Sequence, residues 1–223
     1  MATIIRAAAH AASQVLSQQS LTCKRSHLTE IIAALLGYQT YAALTVEDAK
    51  SDPGLRLNQA ENLILNLPLG ALRAQSLQLP LAAVEACVAG LKRSIDAKNQ
   101  GVHVSISEFW IDSVLNTVSN HLYKDARVQS FMEGANWNHH IVETLFERQH
   151  ESGSLWSSLD DWTIDAWGEL QAEDEDHICL DAFGVIASLE YQKAGRAGVR
   201  LARVRLTPIP DCGDLQSSWA ASA

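Results

Sequence analysis

The residues best suited to chemistry form a segment rich in histidine and glutamate in the second half of the chain. They are His139, His140, Glu143, Glu147 and His150. The segment is predicted to run as a helix from about Ile141 to Gln149, where side chains three or four positions apart share a face. Such pairs can hold a metal ion, and a Glu-x-x-His step also occurs in di-iron helical bundles. Because histidine and glutamate are also common on solvated helix faces, we favour that role, predict no resident metal or cofactor, and keep a metal-dependent enzyme as an alternative.

Other catalytic patterns are missing from the sequence. There is no Gly-x-Ser-x-Gly elbow and no glycine pattern of the phosphate-binding or dinucleotide-binding type. The four cysteines, at positions 23, 87, 179 and 212, are too far apart for the Cys-x-x-Cys clip of a structural zinc site. The sequence therefore predicts no catalytic residues and favours a non-enzymatic role.

Charge is segregated in the C-terminal part of the chain. The 17 Lys and Arg against 26 Asp and Glu give a net charge of −9, unlike the basic surface of a nonspecific nucleic-acid binder. The stretch from Asp160 to Asp181 contains nine acids and no Lys or Arg, and the stretch from Lys193 to Arg205 contains five bases and no acid. The bases are Lys193, Arg196, Arg200, Arg203 and Arg205.

Two interpretations of this charge pattern are open. If the first and third predicted strands pair, their acids and arginines form cross-strand ion pairs of modest strength. Alternatively, the basic hairpin contacts nucleic acid or a protein partner, since arginine in a strand can grip phosphate. Only Lys193 and Arg196, at the predicted hairpin tip, are clear of the predicted acidic neighbours.

Tryptophan is unusually frequent, with six residues against four Phe and four Tyr. Trp156, Trp162 and Trp167 flank the change from helices to strands, and Trp219 lies in a tail of small residues. Tryptophan favours interfaces because one edge is apolar and the other donates a hydrogen bond. The three inner residues are expected either to join sheet and helices or, together with Trp219, to form a partner interface.

The period of the apolar residues divides the chain into two parts. Helical spacing covers most of the first 150 residues. It predicts a helix along Leu57, Ala60, Ile64 and Leu67 that ends at Pro68, and another along Leu81, Val84, Val88, Leu91 and Ile95 with Pro80 in its first turn. Gly37 is expected to end an earlier helix in the left-handed conformation. Alternation then predicts three antiparallel strands near 161–172, 178–192 and 198–208, with a hairpin turn at Gly195–Gly198. We predict an α+β fold with a helical domain (1–152), an antiparallel three-stranded sheet (153–209) and a flexible tail (210–223).

A short N-terminal segment resembles a helical module found in many bacterial proteins carried on plasmids or integrated elements, some of them labelled glyoxalase-superfamily proteins. The likeness covers about residues 26–44 and is carried by Ser26-His27-Leu28, Glu30-Ile31-Ile32-Ala33, Leu36-Gly37-Tyr38 and Tyr41-Ala42-Ala43-Leu44. No glyoxalase metal set is found in this chain. The resemblance implies an origin in a mobile genetic element and a docking or folding role.

The longest uncharged apolar run, residues 31–46, is 16 residues long, which is short for a membrane span. We therefore expect a cytoplasmic protein that makes no membrane contact. The favoured function is that of a non-enzymatic interaction or regulatory protein of a bacterial mobile element, acting on a nucleic-acid-processing machine through protein contacts. A protein partner is expected, with a homodimer among the candidates. Direct nucleic-acid binding through the basic hairpin is the alternative.

Overall fold

Helices occupy most of the N-terminal half and long strands the C-terminal part, as the change of apolar period predicts. The computed structural model describes residues 2–95, 100–134, 140–143, 147–151, 154–173 and 179–209. Two compact units are present, and each combines segments from both sides of residue 152. The first comprises Met1–Phe109, Gly153–Trp162 and Tyr191–Leu201. The second comprises Trp110–Ser152, Thr163–Glu190 and Ala202–Ala223.

Two helices of the first unit have residues at their ends that favour a helix stop or cap the first turn. The helices of this unit are α1 (Ala2–Gln18), α2 (Arg25–Leu35), α3 (Tyr41–Lys50), α4 (Leu67–Ser76), α5 (Leu81–Ile95) and α6 (Ile106–Phe109). Gly37, just past α2, has a φ of +86°, the left-handed conformation that favours glycine after a helix. The Thr40 hydroxyl accepts a hydrogen bond from the Ala43 amide (3.1 Å) and so caps α3.

Helix α5 packs closely against α1 through small side chains. Ala83, Ala86 and Gly90 are on the buried side of α5, and Ala8 and Ala12 are buried on α1. A β-carbon added at Gly90 would overlap the carbonyl oxygen of Ala8, which is backbone and cannot rotate away. The absence of a side chain at Gly90 therefore sets the distance between these two helices.

Gly90→Ala is expected to lower the free energy of unfolding by about 2 kcal/mol. Overpacking costs up to about 3 kcal/mol, and the better helix propensity of alanine returns about 1 kcal/mol. Chemical denaturation measures the loss. Gly54→Ala is the matched control, because a β-carbon there would have its nearest neighbour at 4.0 Å. Equal stability of the two variants would contradict the close packing of α5 on α1.

The predicted helix along Leu57, Ala60, Ile64 and Leu67 is wrong. The segment forms two short 3-10 turns, Pro53–Leu55 and Leu57–Gln59, followed by strand β1 (Asn62–Ile64). Strand β1 pairs in parallel with β2 (Gly101–His103) and antiparallel with β7 (Gly198–Ile209). Backbone pairing with two remote segments thus overrides the local helical spacing, and Pro68 starts the next helix instead of ending this one.

The three predicted C-terminal strands are present, but the sheet is larger and mixed. They are β5 (Asp161–Glu173), β6 (Cys179–Ala194) and β7, and Gly195 has a φ of +65° in the turn between the last two. The strand order is β2-β1-β7-β6-β5-β3, with β4 also paired to β5. Over the described ranges the sheet therefore has seven strands, one pair of them parallel, instead of the predicted three antiparallel strands.

The second unit also differs from the predicted helices. It includes a π-helical turn (Trp110–Val114), α7 (Leu115–Leu122), α8 (Ala126–Gly134), β3 (His140–Glu143) and β4 (Glu147–Glu151). The helix predicted from Ile141 to Gln149 is wrong, because β3 and β4 both pair antiparallel with β5. A long neighbouring strand supplies ladder partners that the local sequence pattern does not reveal.

Candidate functional site

An apolar groove lies between α4 and α5 in the first unit, and its volume is about 650 Å³. Helix α4 contributes Leu67, Pro68 and Ala71. Helix α5 contributes Leu81, Val84, Glu85, Val88, Ala89 and Lys92, and Val104 completes the lining. Since eight of these ten residues are apolar, the groove can bury an apolar surface but offers few polar groups for orienting a reaction.

Helix α4 is held on α2 in a way that leaves one side of it open. The Asn66 side chain caps its first turn by accepting from the Leu69 amide (3.0 Å). A β-carbon at Gly70 would lie 2.6 Å from Leu35 Cδ2, so the glycine allows close contact between the helices. Arg73 Nη2 lies 2.5 Å from Glu30 Oε2 and ties the end of α4 to α2.

Helix α5 is apolar on more than one side. Its inner residues, including Cys87 and Leu91, are fully buried, which explains why the helix packs on α1. On the groove side, Leu81 is 63 % exposed, although a leucine gains about 2 kcal/mol when fully buried. The groove wall therefore presents apolar surface that the described residues of the first unit leave uncovered.

Two charged residues of α5 border this apolar floor. Lys92 Nζ lies 3.1 Å from Glu108 Oε1, and the Val104 amide donates to the other carboxylate oxygen. Burial acts to raise the pKa of Glu108, but these two hydrogen bonds, together with the charges of Lys92 and His103, outweigh it and hold that pKa below its usual value. Glu85 is exposed, and within the described part of the chain no hydrogen bond or ion pair involves its carboxylate.

Lys193 and Arg196, predicted at an exposed hairpin tip, do not form a free basic surface. Lys193 is only 1 % exposed, and its Nζ donates to the Arg196 carbonyl oxygen (2.7 Å). The Arg196 guanidinium bonds Glu47 (3.0 Å) and lies 5.2 Å from the centre of the Tyr38 ring. The acidic neighbour that the prediction did not foresee comes from α3, which is remote in sequence.

The Arg196 contacts also give residues 37–47 a structural role. The Arg196 amide donates to the Tyr38 hydroxyl oxygen (3.3 Å). A β-carbon at Gly37 would lie 3.1 Å from Cβ of Arg196, so the glycine leaves room for the hairpin turn. Within the first unit, residues 37–47 thus pack against the turn between β6 and β7.

The three arginines of β7 are exposed, and the partners of two of them lie on β6. Arg200 donates to Gln192 (3.1 Å), and Arg205 lies 3.4 Å from Glu190. Both partners belong to β6, which lies between β5 and β7 in the sheet, so direct pairing of the first and third predicted strands is wrong. Arg203 is exposed on the same strand.

The predicted tryptophan interface is only partly available to a partner. Trp162 is fully buried, with ring centres 5.8 Å from Tyr191 and 6.3 Å from Phe109. Trp156 is half-buried and donates from Nε1 to the Ile64 carbonyl oxygen (2.9 Å), and Trp167 is half-buried on β5. Trp162 is therefore a core residue, and Trp219 lies outside the described residues.

The histidine and glutamate residues considered as metal ligands do not share a helix face, because those that the structure describes lie on two strands. His140 and Glu143 lie on β3, Glu147 and His150 lie on β4, and His139 is outside the described residues. In register, His150 is opposite Asp165 and Glu147 is opposite Trp167. Among the residues whose placement is described, no group of three or more His, Cys, Asp or Glu is arranged to hold a metal ion.

The groove is the feature that the sequence did not predict. Its signal is present in α5, where Leu81, Val84 and Val88 share the helical spacing of Leu91 and Ile95. A helix with apolar residues on more than one side needs a second surface to cover it.

No helix in the described ranges is both long enough and apolar enough to cross a membrane. Comparison of the chain with family models, with curated proteins and with solved structures finds no match in any of the three.

Proposed function

We propose that this chain is a non-enzymatic interaction protein that binds an apolar helix of its partner in the groove between α4 and α5. One observation carries the proposal, namely the apolar groove with the exposed Leu81 at its edge. Grooves between two helices commonly accept the apolar face of a third helix, and exposed apolar patches mark interaction surfaces.

The dimensions of the groove support this class of ligand. The lining residues of α5 run from Leu81 to Lys92, which corresponds to about 16 Å of helix at 1.5 Å per residue. A partner helix of about three turns covers that length and places three or four apolar side chains on the floor. Leu81 then becomes buried between the two surfaces.

The same proposal includes the biological setting in which the protein and its partner act. An origin in a bacterial mobile element and an effect on a nucleic-acid-processing machine rest on the resemblance of residues 26–44 alone. Direct nucleic-acid contact through Lys193 and Arg196 is the weaker alternative, because the first is buried and the second is paired with Glu47.

Leu81→Gln is expected to weaken partner binding about tenfold or more, because a leucine that becomes buried on binding contributes about 1.5 to 3 kcal/mol. The measurement is quantitative mass spectrometry of proteins captured by the tagged full chain from cells that naturally produce it. Leu72→Gln is the matched control, since Leu72 is also on this pair of helices and is 61 % exposed, but does not line the groove.

A groove-dependent partner is retained by wild type and by Leu72→Gln but lost with Leu81→Gln. If no captured protein, including the chain itself, depends on Leu81 in this way, the proposed function is wrong.

A further inference from the structure

We propose that the groove is occupied by a second copy of this chain, with the two α5 helices packed antiparallel about a two-fold axis. This inference rests on the proposed function, because it names the partner that the same groove receives. The charges at the groove, the small residues between them and the exposed leucine at its end all support a self-complementary contact.

The charges of α5 are complementary to those of an antiparallel copy of the same helix. Glu85 and Lys92 are seven residues apart, so they lie on one side of the helix about 10 Å from each other. A two-fold axis passing between Val88 and Ala89 places Glu85 of each copy opposite Lys92 of the other. Two-fold interfaces require such self-complementarity, and α5 provides it within its own sequence.

The Glu85 carboxylate can accept, and the Lys92 ammonium can donate, the hydrogen bonds that this pairing needs. The Glu85 carboxylate makes no hydrogen bond or ion pair within the described residues. Lys92 has three donors, and its single hydrogen bond to a described residue goes to Glu108. A second copy therefore adds an acceptor to Lys92 without breaking its bond to Glu108.

The apolar residues fit the same axis. Val88 and Ala89 lie at its centre, where small side chains allow two helices to approach closely. Leu81 lies about 11 Å from the axis along the helix, and the two-fold directs it towards the Lys92 end of the other groove, which Val104 also lines. The 63 % exposed leucine of each copy is then covered by the other.

The experiment uses charge reversal in the purified full chain, with the dissociation constant of the dimer measured by sedimentation equilibrium. Glu85→Lys places two lysine pairs in the interface, and Lys92→Glu places two carboxylate pairs there. Lys92→Glu is made together with Glu108→Gln, so that the new carboxylate does not face Glu108. Each variant alone is expected to dimerise at least about tenfold more weakly than wild type.

Mixing the two variants provides the decisive measurement. In the mixed dimer, the lysine introduced at position 85 of one copy meets the glutamate introduced at position 92 of the other, and the native Glu85–Lys92 pair is kept at the second contact. The mixture is therefore expected to recover dimerisation to within about threefold of wild type. Lys50→Glu, an exposed charge change on α3, is expected to leave the dimer unchanged. Glu108→Gln alone is the reference for the double variant, because Glu108 contacts Lys92 directly.

Three outcomes would overturn the inference: a monomeric wild type, a dimer that neither charge reversal weakens, or two weakened variants that do not recover on mixing. A monomeric wild type that still captures a different protein through Leu81 would leave the proposed function standing and make that protein's helix the occupant. Loss of both groove-dependent capture and dimerisation would overturn the two proposals together.

Discussion

Replacing Lys193 with methionine is expected to raise the free energy of unfolding by about 3 kcal/mol at pH 7. Lys193 is 1 % exposed, and burial lowers its pKa from 10.5 to about 7. That displacement corresponds to a penalty of about 4 kcal/mol at pH 7 relative to a lysine in the unfolded chain. Loss of the hydrogen bond to the Arg196 carbonyl oxygen reduces this gain in stability by about 1 kcal/mol.

The same substitution is expected to change the pH dependence of stability. Between pH 7 and pH 10.5 the unfolded chain binds the Lys193 proton more tightly than the folded chain does. In that window Lys193 therefore makes the free energy of unfolding rise with pH, by about 2 kcal/mol from pH 7 to pH 9. Below pH 7 the cost of burying the charged lysine is present in full. Denaturation of wild type and Lys193→Met at both pH values isolates this contribution.

Lys193→Arg is the control for this experiment. It keeps a buried cation that does not titrate below about pH 12, so it should be less stable than wild type at pH 9 and show no such rise. A methionine variant that is less stable than wild type at pH 7, with an unchanged pH dependence, would show that the lysine is not held in an apolar environment.

Trp162→Ala is expected to lower the free energy of unfolding by about 4 kcal/mol, because it leaves a large cavity in the core of the first unit. The indole is fully buried among Phe109 and Tyr191, and Phe109 in turn contacts the His103 ring at 5.3 Å. Chemical denaturation followed by circular dichroism measures the loss.

Trp162→Phe separates core packing from a partner contact. It keeps an aromatic ring in the cluster and is expected to cost about 1 to 2 kcal/mol. If Trp162→Ala instead unfolded within about 1 kcal/mol of wild type while partner capture was lost, the residue would be an interface tryptophan, as the sequence pattern allowed.

Local sequence signals predicted those elements whose backbone needs are met nearby. The spacing from Leu81 to Ile95 and the preceding Pro80 predicted α5, and the left-handed Gly37 was expected at the end of α2. The alternation after residue 160 predicted β5, β6 and β7 to within two residues at each end. In each case the apolar period, a turn glycine or a proline agrees with the final structure.

The candidate site was much less predictable. The apolar spacing predicts α5, but it does not distinguish the residues that face α1 from those that line the groove. That division depends on Gly90, which sets the distance to α1, and on the Arg73–Glu30 pair, which holds α4 on α2. Both are contacts between segments far apart in the chain.

Local sequence patterns are enough to predict an α+β chain with a helical N-terminal half, three long C-terminal strands and the turn between the last two. Residues 62–64, 140–143 and 147–151 form strands through long-range pairing, because their hydrogen-bond partners lie on remote segments. Long-range contacts also bury Lys193 and pair Arg196 with Glu47. Periodicity reports which face of an element is apolar, whereas burial and charge pairing depend on which other element arrives there.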